Sequence, residues 1–331
     1  MSINHFFSTK IQRWYSKHKR DLPWRQNNDP YRIWLSEVIL QQTRVVYGES
    51  YFKRFTSTFP TIYDLANAPE DQVLKLWQGL GYYSRARNLH KTAKLITNEF
   101  NGVFPNDYKL LLSLPGIGPY TAAAISSICF HLPHAVVDGN VYRVLARFFG
   151  IEDPIDTGQA KKRFEALANE LIDEKQPGNY NQAIMEFGAL VCKPKDPNYL
   201  TCCLNKSCKY FKSNKKIKSI KNKKNKNKNY NIFCYLNKKK QIALTKNSQI
   251  GFLKNFNLPE IKEANGFSKK HNWKFLKNYK NSISNLKLNI NIYYKFSNKI
   301  PSSHRWYSLE KNNEFIPNFT KKIFRQVSSL F

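Results

Sequence analysis

Residues 114–121 read Leu114-Pro115-Gly116-Ile117-Gly118-Pro119-Tyr120-Thr121, and they predict a tight turn that leads into a helix. Gly116 and Gly118 let backbone N–H groups come close to a phosphate, because glycine has no Cβ and tolerates positive φ. Pro119 suits the first turn of a helix, whose N-terminal donors would then face the anion. The stretch therefore predicts a phosphate-binding turn that reads no base sequence.

A short helix is predicted before this turn as well. Residues 108–112 are helix-forming, and Asn106 or Asp107 can cap them just after Pro105. The unit is then a helix, a hairpin turn and a second helix. An ordinary glycine-rich connection between two helices would have the same residues, so the interpretation depends on features elsewhere in the chain.

Two carboxylates in distant stretches are the candidate chemical groups. Glu37 lies within 31–54, which predicts one long helix that is apolar nearly all round and therefore buried. Desolvation should raise the pKa of Glu37 toward neutrality, and a carboxylic acid that is still protonated near neutral pH can act as a general acid. Asp138 precedes the periodic helix at 141–148 and is a natural N-cap. A surface-exposed or arginine-paired Glu37 and a purely structural Asp138 are the alternatives.

The charge of the chain favours a polyanionic partner. Lys and Arg number 54 against 23 Asp and Glu, a formal net charge of +31. The run 213–229 contains eight lysines, which we interpret first as a solvated linker and second as a non-specific phosphate contact. No apolar run is long enough to cross a bilayer, so we expect no membrane partner and a cytoplasmic, nucleoid-associated protein.

Together these motifs resemble the helix-hairpin-helix DNA glycosylase superfamily, and in particular adenine DNA glycosylases of the MutY type. The resemblance covers about the first 210 residues and rests on LPWR, SEVILQQT, GLGYYSRARNL, LPGIGPYTA and VVDGNVYRVLAR. It implies a mostly α fold, with a six-helix barrel and a cysteine-cluster helical module in a glycosylase domain at 1–211. A linker at 212–229 and a small α+β Nudix-like domain at 230–331 should follow.

The resemblance also implies the reaction and the partner. A monomer would hydrolyse the N-glycosidic bond of adenine mispaired with 8-oxoguanine or guanine in double-stranded DNA, as a step of base excision repair. An endonuclease III-like pyrimidine glycosylase and lyase is one alternative, opposed by Tyr120, because lyases of the superfamily have lysine there. A non-catalytic DNA-binding protein is the other, opposed by the presence of both Glu37 and Asp138.

By resemblance, each site residue has a role. Glu37 would protonate the departing adenine and Asp138 would stabilise the charge on the sugar, while Tyr120 and Asn140 orient these groups. The adenine pocket would consist of Arg20, Trp24, Arg25, Leu40, Val45, Gln182 and Glu186, of which Leu40 and Val45 are the most plausible as core residues only. The DNA-binding residues would be Gln42, Tyr82, Gly116 and Gly118, with Gln42 and Tyr82 filling the gap left by the extruded base.

Four cysteines near the end of this region suggest a metal site. Cys192, Cys202, Cys203 and Cys208 form a cluster that, in a cytoplasmic enzyme, indicates metal binding before it indicates disulfides. MutY-type enzymes hold a [4Fe-4S] cluster with the spacing C-x6-C-x2-C-x5-C, which here places Tyr199 at the second ligand position. Cys203 is the alternative fourth ligand, and loss of the cluster, with the loop held by packing, is the other outcome.

The last hundred residues change to a strand period. Residues 232–236 and 241–245 predict a hairpin, 286–292 alternate strictly, and a helix is expected near 320–330. This part weakly resembles the Nudix-like domain with which MutY enzymes recognise 8-oxoguanine. Its scattered carboxylates predict binding without hydrolysis. The family's Phe-Ser-His signature falls on Ile283-Ser284-Asn285, so we expect a weaker preference for 8-oxoguanine over guanine.

Overall fold

A computed structural model describes residues 2–154, 157–213, 226–248, 250–251, 253–264, 272–283, 286–310 and 314–331. The chain forms two compact units. The first comprises Met1–Leu76 and Ser84–Ile220, and the second comprises Trp77–Tyr83 and Lys221–Phe331. The short segment 77–83 therefore belongs with the second unit, although it lies within the predicted glycosylase domain 1–211. None of the helices in the described ranges has the length and apolar character needed to cross a membrane.

The first unit is helical, as predicted. Its helices are α1 Ile3–His18, α2 Pro30–Leu40, α3 Val45–Thr58, α4 Ile62–Asn67, α5 Glu70–Leu76, α6 Tyr83–Glu99, α7 Tyr108–Ser113, α8 Pro119–Phe130, α9 Gly139–Phe149, α10 Gly158–Leu171, α11 Pro177–Leu190 and α12 Lys209–Ser213. A buried apolar core joins α1, α8, α9, α10 and α11. The six-helix barrel stays a prediction.

The predicted helix-hairpin-helix forms from α7 and α8. Asp107 caps α7 by accepting a hydrogen bond from the Leu110 N–H at 2.8 Å. Gly116 has φ +80°, and a Cβ there would meet Cβ of Asn88 at 2.8 Å, so this position requires glycine. Gly118 has φ −95° and open space around it; its conformation does not require glycine. It is the N-cap of α8 and supplies no side-chain cap, which leaves the first N–H groups of that helix without a side-chain acceptor from the cap.

The prediction of a single long helix over 31–54 is wrong. The helix breaks after Leu40 and resumes at Val45, with Gln42 in the left-handed region at φ +61°. Nη1 of Arg85, from α6, donates hydrogen bonds to the carbonyls of Val38 (3.1 Å) and Gln41. The guanidinium thus supplies donors to carbonyls at the C-terminal end of α2, which have no N–H group of a following helical turn to accept from.

Within the described residues, the second unit is a mixed sheet with one α-helix. The strands are β1 Lys226–Asn237, β2 Gln241–Lys246, β3 Asn257–Leu258, β4 Glu260–Glu263, β5 Lys274–Ile283, β6 Leu286–Phe296 and β7 His304–Ser308, and α13 spans Asn318–Val327. The main strand order is β3-β2-β1-β6-β5, with β4 on β1 and β7 on β2. The sheet and α13 share one apolar core.

Pairing within this sheet confirms the predicted hairpin of β1 and β2. The linker predicted at 212–229 extends too far, because its last residues, 226–229, belong to β1 and pair in parallel with 286–289 of β6. Ser284 and Asn285, on which the lesion-recognition prediction rests, lie outside the described residues. The Nudix-like identity of the unit stays a prediction.

Candidate active site

An open cleft of about 550 Å³ lies in the first unit, within the size range of small-molecule sites. It is lined by Arg20, Leu22, Trp24, Arg25, Glu37, Leu40, Gln41, Gln42, Thr43, Val45, Tyr120, Asp138, Asn140, Met185, Glu186 and Ala189. Five stretches of the sequence, 20–25, 37–45, 120, 138–140 and 185–189, thus supply one site. Most of the residues proposed from the sequence for catalysis and for the adenine pocket come together here.

Glu37 is the buried acid of this cleft. It lies in the apolar helix α2 and is 8% exposed. Burial raises the pKa of its carboxyl to about 7, and the nearby Asp138 adds to the rise, whereas the hydrogen bond from Tyr120 and the charge of Arg25 oppose it. The Tyr120 hydroxyl donates to Oε2 of Glu37 at 2.6 Å. Glu37 can therefore carry a proton near neutral pH.

Tyr120 is held between this acid and α11. Its hydroxyl also lies 3.1 Å from Sδ of Met185. Burial, with the charges of Glu37 and Asp138, raises the pKa of Tyr120 well above its ordinary value. The phenol therefore stays neutral and acts as a donor to Glu37.

Asp138 is the N-cap of α9, as predicted. Its Oδ1 accepts from the N–H groups of Asn140 and Val141, both at 2.8 Å, and its Oδ2 accepts from Nδ2 of Asn140 at 2.8 Å. Asn140 in turn accepts from Arg143 at 2.8 Å, and Arg143 also donates to the carbonyls of Gly188 and Cys192. These bonds fix the orientation of the Asp138 carboxylate on the cleft wall.

Arg20 and Arg25 enclose the carboxylate of Glu186. Arg20 donates from its backbone N, Nε and Nη2, and Arg25 donates from both terminal nitrogens, at distances of 2.6–3.1 Å. Burial alone would raise the pKa of Glu186, but the hydrogen bonds from Arg20 and Arg25 outweigh it and lower that pKa to about 2. Glu186 is thus an ionised anchor for two cations at the cleft, and its oxygens are already engaged.

Two predicted residues lie elsewhere. Gln182 accepts a hydrogen bond from Tyr15 at 3.2 Å and does not line the cleft. Tyr82 belongs to the second unit. Conversely, Met185 and Ala189 line the cleft but were not proposed from the sequence. Their spacing with Glu186 along α11 places all three on one helix face, which is the signal that could have identified them.

The cysteine module, residues 192–208, is only partly arranged as predicted. Cys192, Cys202 and Cys208 line one cavity of about 20 Å³ together with Tyr199, space for about one water molecule. Cys203 does not line it, and its Sγ instead lies 3.7 Å from the carbonyl of Lys10. Within the described ranges, no group of three or more His, Cys, Asp or Glu side chains could hold a metal ion.

This donor set does not fit a four-thiolate iron–sulfur cluster. The phenol of Tyr199 stands at the second ligand position, and its oxygen is a hard donor that poorly replaces thiolate. Other contacts hold the module. The buried guanidinium of Arg147 donates to the carbonyls of Lys193 (2.6 Å) and Pro194 (3.0 Å), and Tyr199 packs on Phe211 with ring centroids 4.5 Å apart.

Comparisons with known proteins identify relatives that act in DNA repair, as the geometry of the cleft suggests. Residues 35–170 match the profile of the HhH-GPD superfamily of base excision DNA repair proteins. A solved thermostable thymine-DNA glycosylase superposes with a TM-score of 0.58 at 28% identity, covering 63% of this chain and 97% of that one. The fold and the cleft thus define a helix-hairpin-helix protein of base excision DNA repair.

Two relatives narrow the assignment. The adenine DNA glycosylase of Buchnera aphidicola subsp. Baizongia pistaciae is 36% identical over 323 residues, which cover 92% of this chain and 91% of the relative. The human adenine DNA glycosylase is 42% identical over 213 residues, covering 61% of this chain and 39% of that enzyme. The chain belongs to the adenine DNA glycosylase family. Neither the pyrimidine glycosylase and lyase nor the non-catalytic DNA-binding protein is favoured.

Proposed function

We propose that this chain removes adenine mispaired with 8-oxoguanine or guanine from double-stranded DNA and leaves the strand intact. The observation that carries the proposal is the buried carboxyl of Glu37. It has a pKa of about 7, accepts a hydrogen bond from Tyr120, and lines the same cleft as Asp138. Two carboxylates in unlike environments suit an acid and a charge-stabilising partner.

In the proposed reaction, Glu37 gives its proton to a ring nitrogen of the extruded adenine. The bond between that base and C1′ of the sugar then breaks, and its electron pair leaves with the base. Asp138 stabilises the positive charge that develops on the sugar. Water attacks C1′ and loses a proton to the Glu37 carboxylate, which restores the acid.

Tyr120 limits the reaction to base release. A lyase of this superfamily uses an amine that forms a Schiff base with the sugar, and the phenol of Tyr120 cannot do so. Borohydride should therefore trap little covalent complex with this chain. Trapping as efficient as that of a lyase run in parallel would contradict the assignment.

The hairpin and the charge support a DNA partner. The turn at Gly116–Gly118 leads directly into the N-terminus of α8, whose backbone N–H groups suit a phosphate, and the formal net charge is +31. Gln42, exposed and in the left-handed region beside the cleft, suits the role of a wedge at the extruded base. We propose that the chain acts as a monomer on chromosomal DNA.

Single-turnover base release tests the proposed function. The substrates are duplexes with adenine opposite 8-oxoguanine, adenine opposite guanine, and thymine glycol, and we expect release from the first two. Glu37→Gln should bind DNA but lose base release, because an amide keeps the shape and cannot supply the proton. Glu49→Gln on α3, a carboxylate paired with Lys53, is the matched control. Normal release by Glu37→Gln would overturn the acid assignment.

The cysteine module is proposed to be structural. Three thiols and a phenol, with Cys203 turned toward α1, support a module held by Arg147 and by packing in place of the cluster that the family resemblance implies. No step of the proposed reaction depends on a metal.

A further inference from the structure

The segment Trp77–Tyr83 is a tight turn that carries Tyr82. Three of its residues have positive φ: Gly79 at 112°, Gly81 at 71° and Tyr82 at 46°. Nε1 of the fully buried Trp77 donates to the carbonyl of Gly81 at 2.9 Å and closes the turn. The left-handed conformation is unfavourable for a tyrosine and persists only where surrounding contacts impose it.

Those contacts come from the second unit, to which the segment belongs. The ring of Tyr83 packs edge-to-face on Phe256 and on Phe315, each with ring centroids 5.2 Å apart. Phe256 and Phe315 also contact each other at 5.7 Å, and all three rings are buried. We call these three residues the aromatic clamp. Pairs of this geometry add to the free energy of burial.

Polar contacts reinforce the clamp on the same segment. Nε2 of Gln78 donates to Oδ1 of Asn318, the first residue of α13, at 2.7 Å. Nζ of Lys321, one turn later, donates to Oε1 of Gln78 at 3.3 Å. Both atoms of the Gln78 amide are thus engaged by α13, so the segment is fixed at Gln78 as well as at Tyr83.

We propose that the C-terminal unit contributes to recognition of the base opposite adenine by holding this segment, so that Tyr82 is presented in one conformation. Tyr82 is 48% exposed beside a buried neighbour, as expected for a side chain that stacks on a partner from outside. The aromatic clamp positions Tyr82 and touches no substrate. The inference rests on the proposed function, since it assigns Tyr82 to the estranged base.

The test compares two buried phenylalanines of the full-length chain. Phe315→Ala removes a ring of the clamp, whereas Phe324→Ala removes a ring of the core shared by the sheet and α13. Two readouts are needed: hydrogen exchange of the 77–83 amides, and the ratio of single-turnover base release opposite 8-oxoguanine to that opposite guanine. Asn318→Ala, which removes only an exposed hydrogen bond, is a milder variant that keeps the unit folded.

We expect Phe315→Ala to speed exchange in 77–83 and to lower the ratio about tenfold, the scale of one base–aromatic contact. Asn318→Ala should shift both readouts in the same direction by less. Unchanged exchange, or faster exchange with an unchanged ratio, would overturn the inference. So would an equal loss of the ratio in Phe324→Ala at equal stability. If the unsubstituted chain releases no adenine from either duplex, the proposed function itself fails.

Discussion

The carboxyl group of Glu37 stays protonated to a higher pH than an ordinary glutamate carboxyl would, because it is buried in α2. A shift from 4.5 to about 7 corresponds to about 3 kcal/mol of preference for the neutral form. The same burial that prepares the acid therefore makes ionisation costly for the folded chain. Rate and stability should both change with pH as a result.

Base release should be fastest below neutral pH. Glu37 acts in its protonated form, so the single-turnover rate should be level on the acid side and fall about tenfold per pH unit above pH 7. The measurement is single-turnover release across this range, with DNA binding measured in parallel so that a loss of affinity is recognised. A rate independent of pH through neutrality would exclude Glu37 as the acid.

Glu37→Gln should be more stable than the unsubstituted chain at alkaline pH. The folded-state pKa of Glu37 is raised, so the stabilising contribution of its protonated form is complete below pH 4.5 and is lost as pH rises through about 7. An amide has no charge to bury, so the variant should gain up to about 3 kcal/mol above that pH and nothing at acid pH. Urea unfolding at both ends of the range measures the difference. A gain of equal size at both ends would indicate a cause other than ionisation.

Glu186→Gln should destabilise the first unit and impair base release. It removes the anion that Arg20 and Arg25 share, and these cations are only 33% and 14% exposed. Leaving them uncompensated should cost about 3 kcal/mol, and both would lose their orientation at the cleft. Urea unfolding checks the cost, with Glu49→Gln as the surface-pair control, expected to cost under about 1 kcal/mol. Equal effects of the two substitutions would contradict the anchoring role.

At the scale of elements, the sequence predicted those structures whose determining residues lie close together in the chain. The α7–α8 hairpin has its glycine conformation, proline and cap within a few residues, and the β1–β2 hairpin has an alternating pattern on each side of a lysine turn. The break between α2 and α3 could not be found in this way, because it depends on Arg85 from a distant helix.

Some residues of the candidate site could also be identified from the sequence, and others could not. Glu37 and Asp138 were identifiable because each combines an unusual local setting, a buried apolar helix or a helix N-terminus, with a family motif. Gln182 could not be placed from the sequence, because it lies one turn before Glu186 on α11 and spacing alone does not show that its side chain contacts Tyr15 and not the cleft.

Tyr199→Cys should create a four-thiol site for an iron–sulfur cluster. The substitution completes four thiols at the family spacing, and thiolates are the ligands that iron–sulfur clusters require. Anaerobic purification should give a brown variant with about four irons per chain and colourless unsubstituted protein. Cys203→Ser should match the unsubstituted protein. Iron in the unsubstituted chain that disappears in Cys203→Ser would show instead that Cys203 is recruited as a ligand.

At the scale of the whole molecule, the net charge of +31 should affect the affinity for DNA more than the rate of base release. Binding to undamaged duplex should weaken by roughly a thousandfold between about 50 and about 200 mM salt, if roughly six phosphates are neutralised. The single-turnover rate at saturating enzyme should stay constant over this range, because the reacting groups are shielded in the cleft. A binding constant insensitive to salt would show that the charge does not face the DNA.

The bond between Gln78 and Asn318 joins residues 240 positions apart, and this distance affects the order in which the chain acquires its structure. Domains generally fold as they leave the ribosome, N-terminal first, and contacts so remote in sequence form late because a long loop must close. The helices around the cleft can therefore fold before Phe315 and α13 have been synthesised. The turn that carries Tyr82 can become ordered only after that. A nascent or refolding chain should acquire base-release activity before it acquires the preference for 8-oxoguanine over guanine that we propose for this turn.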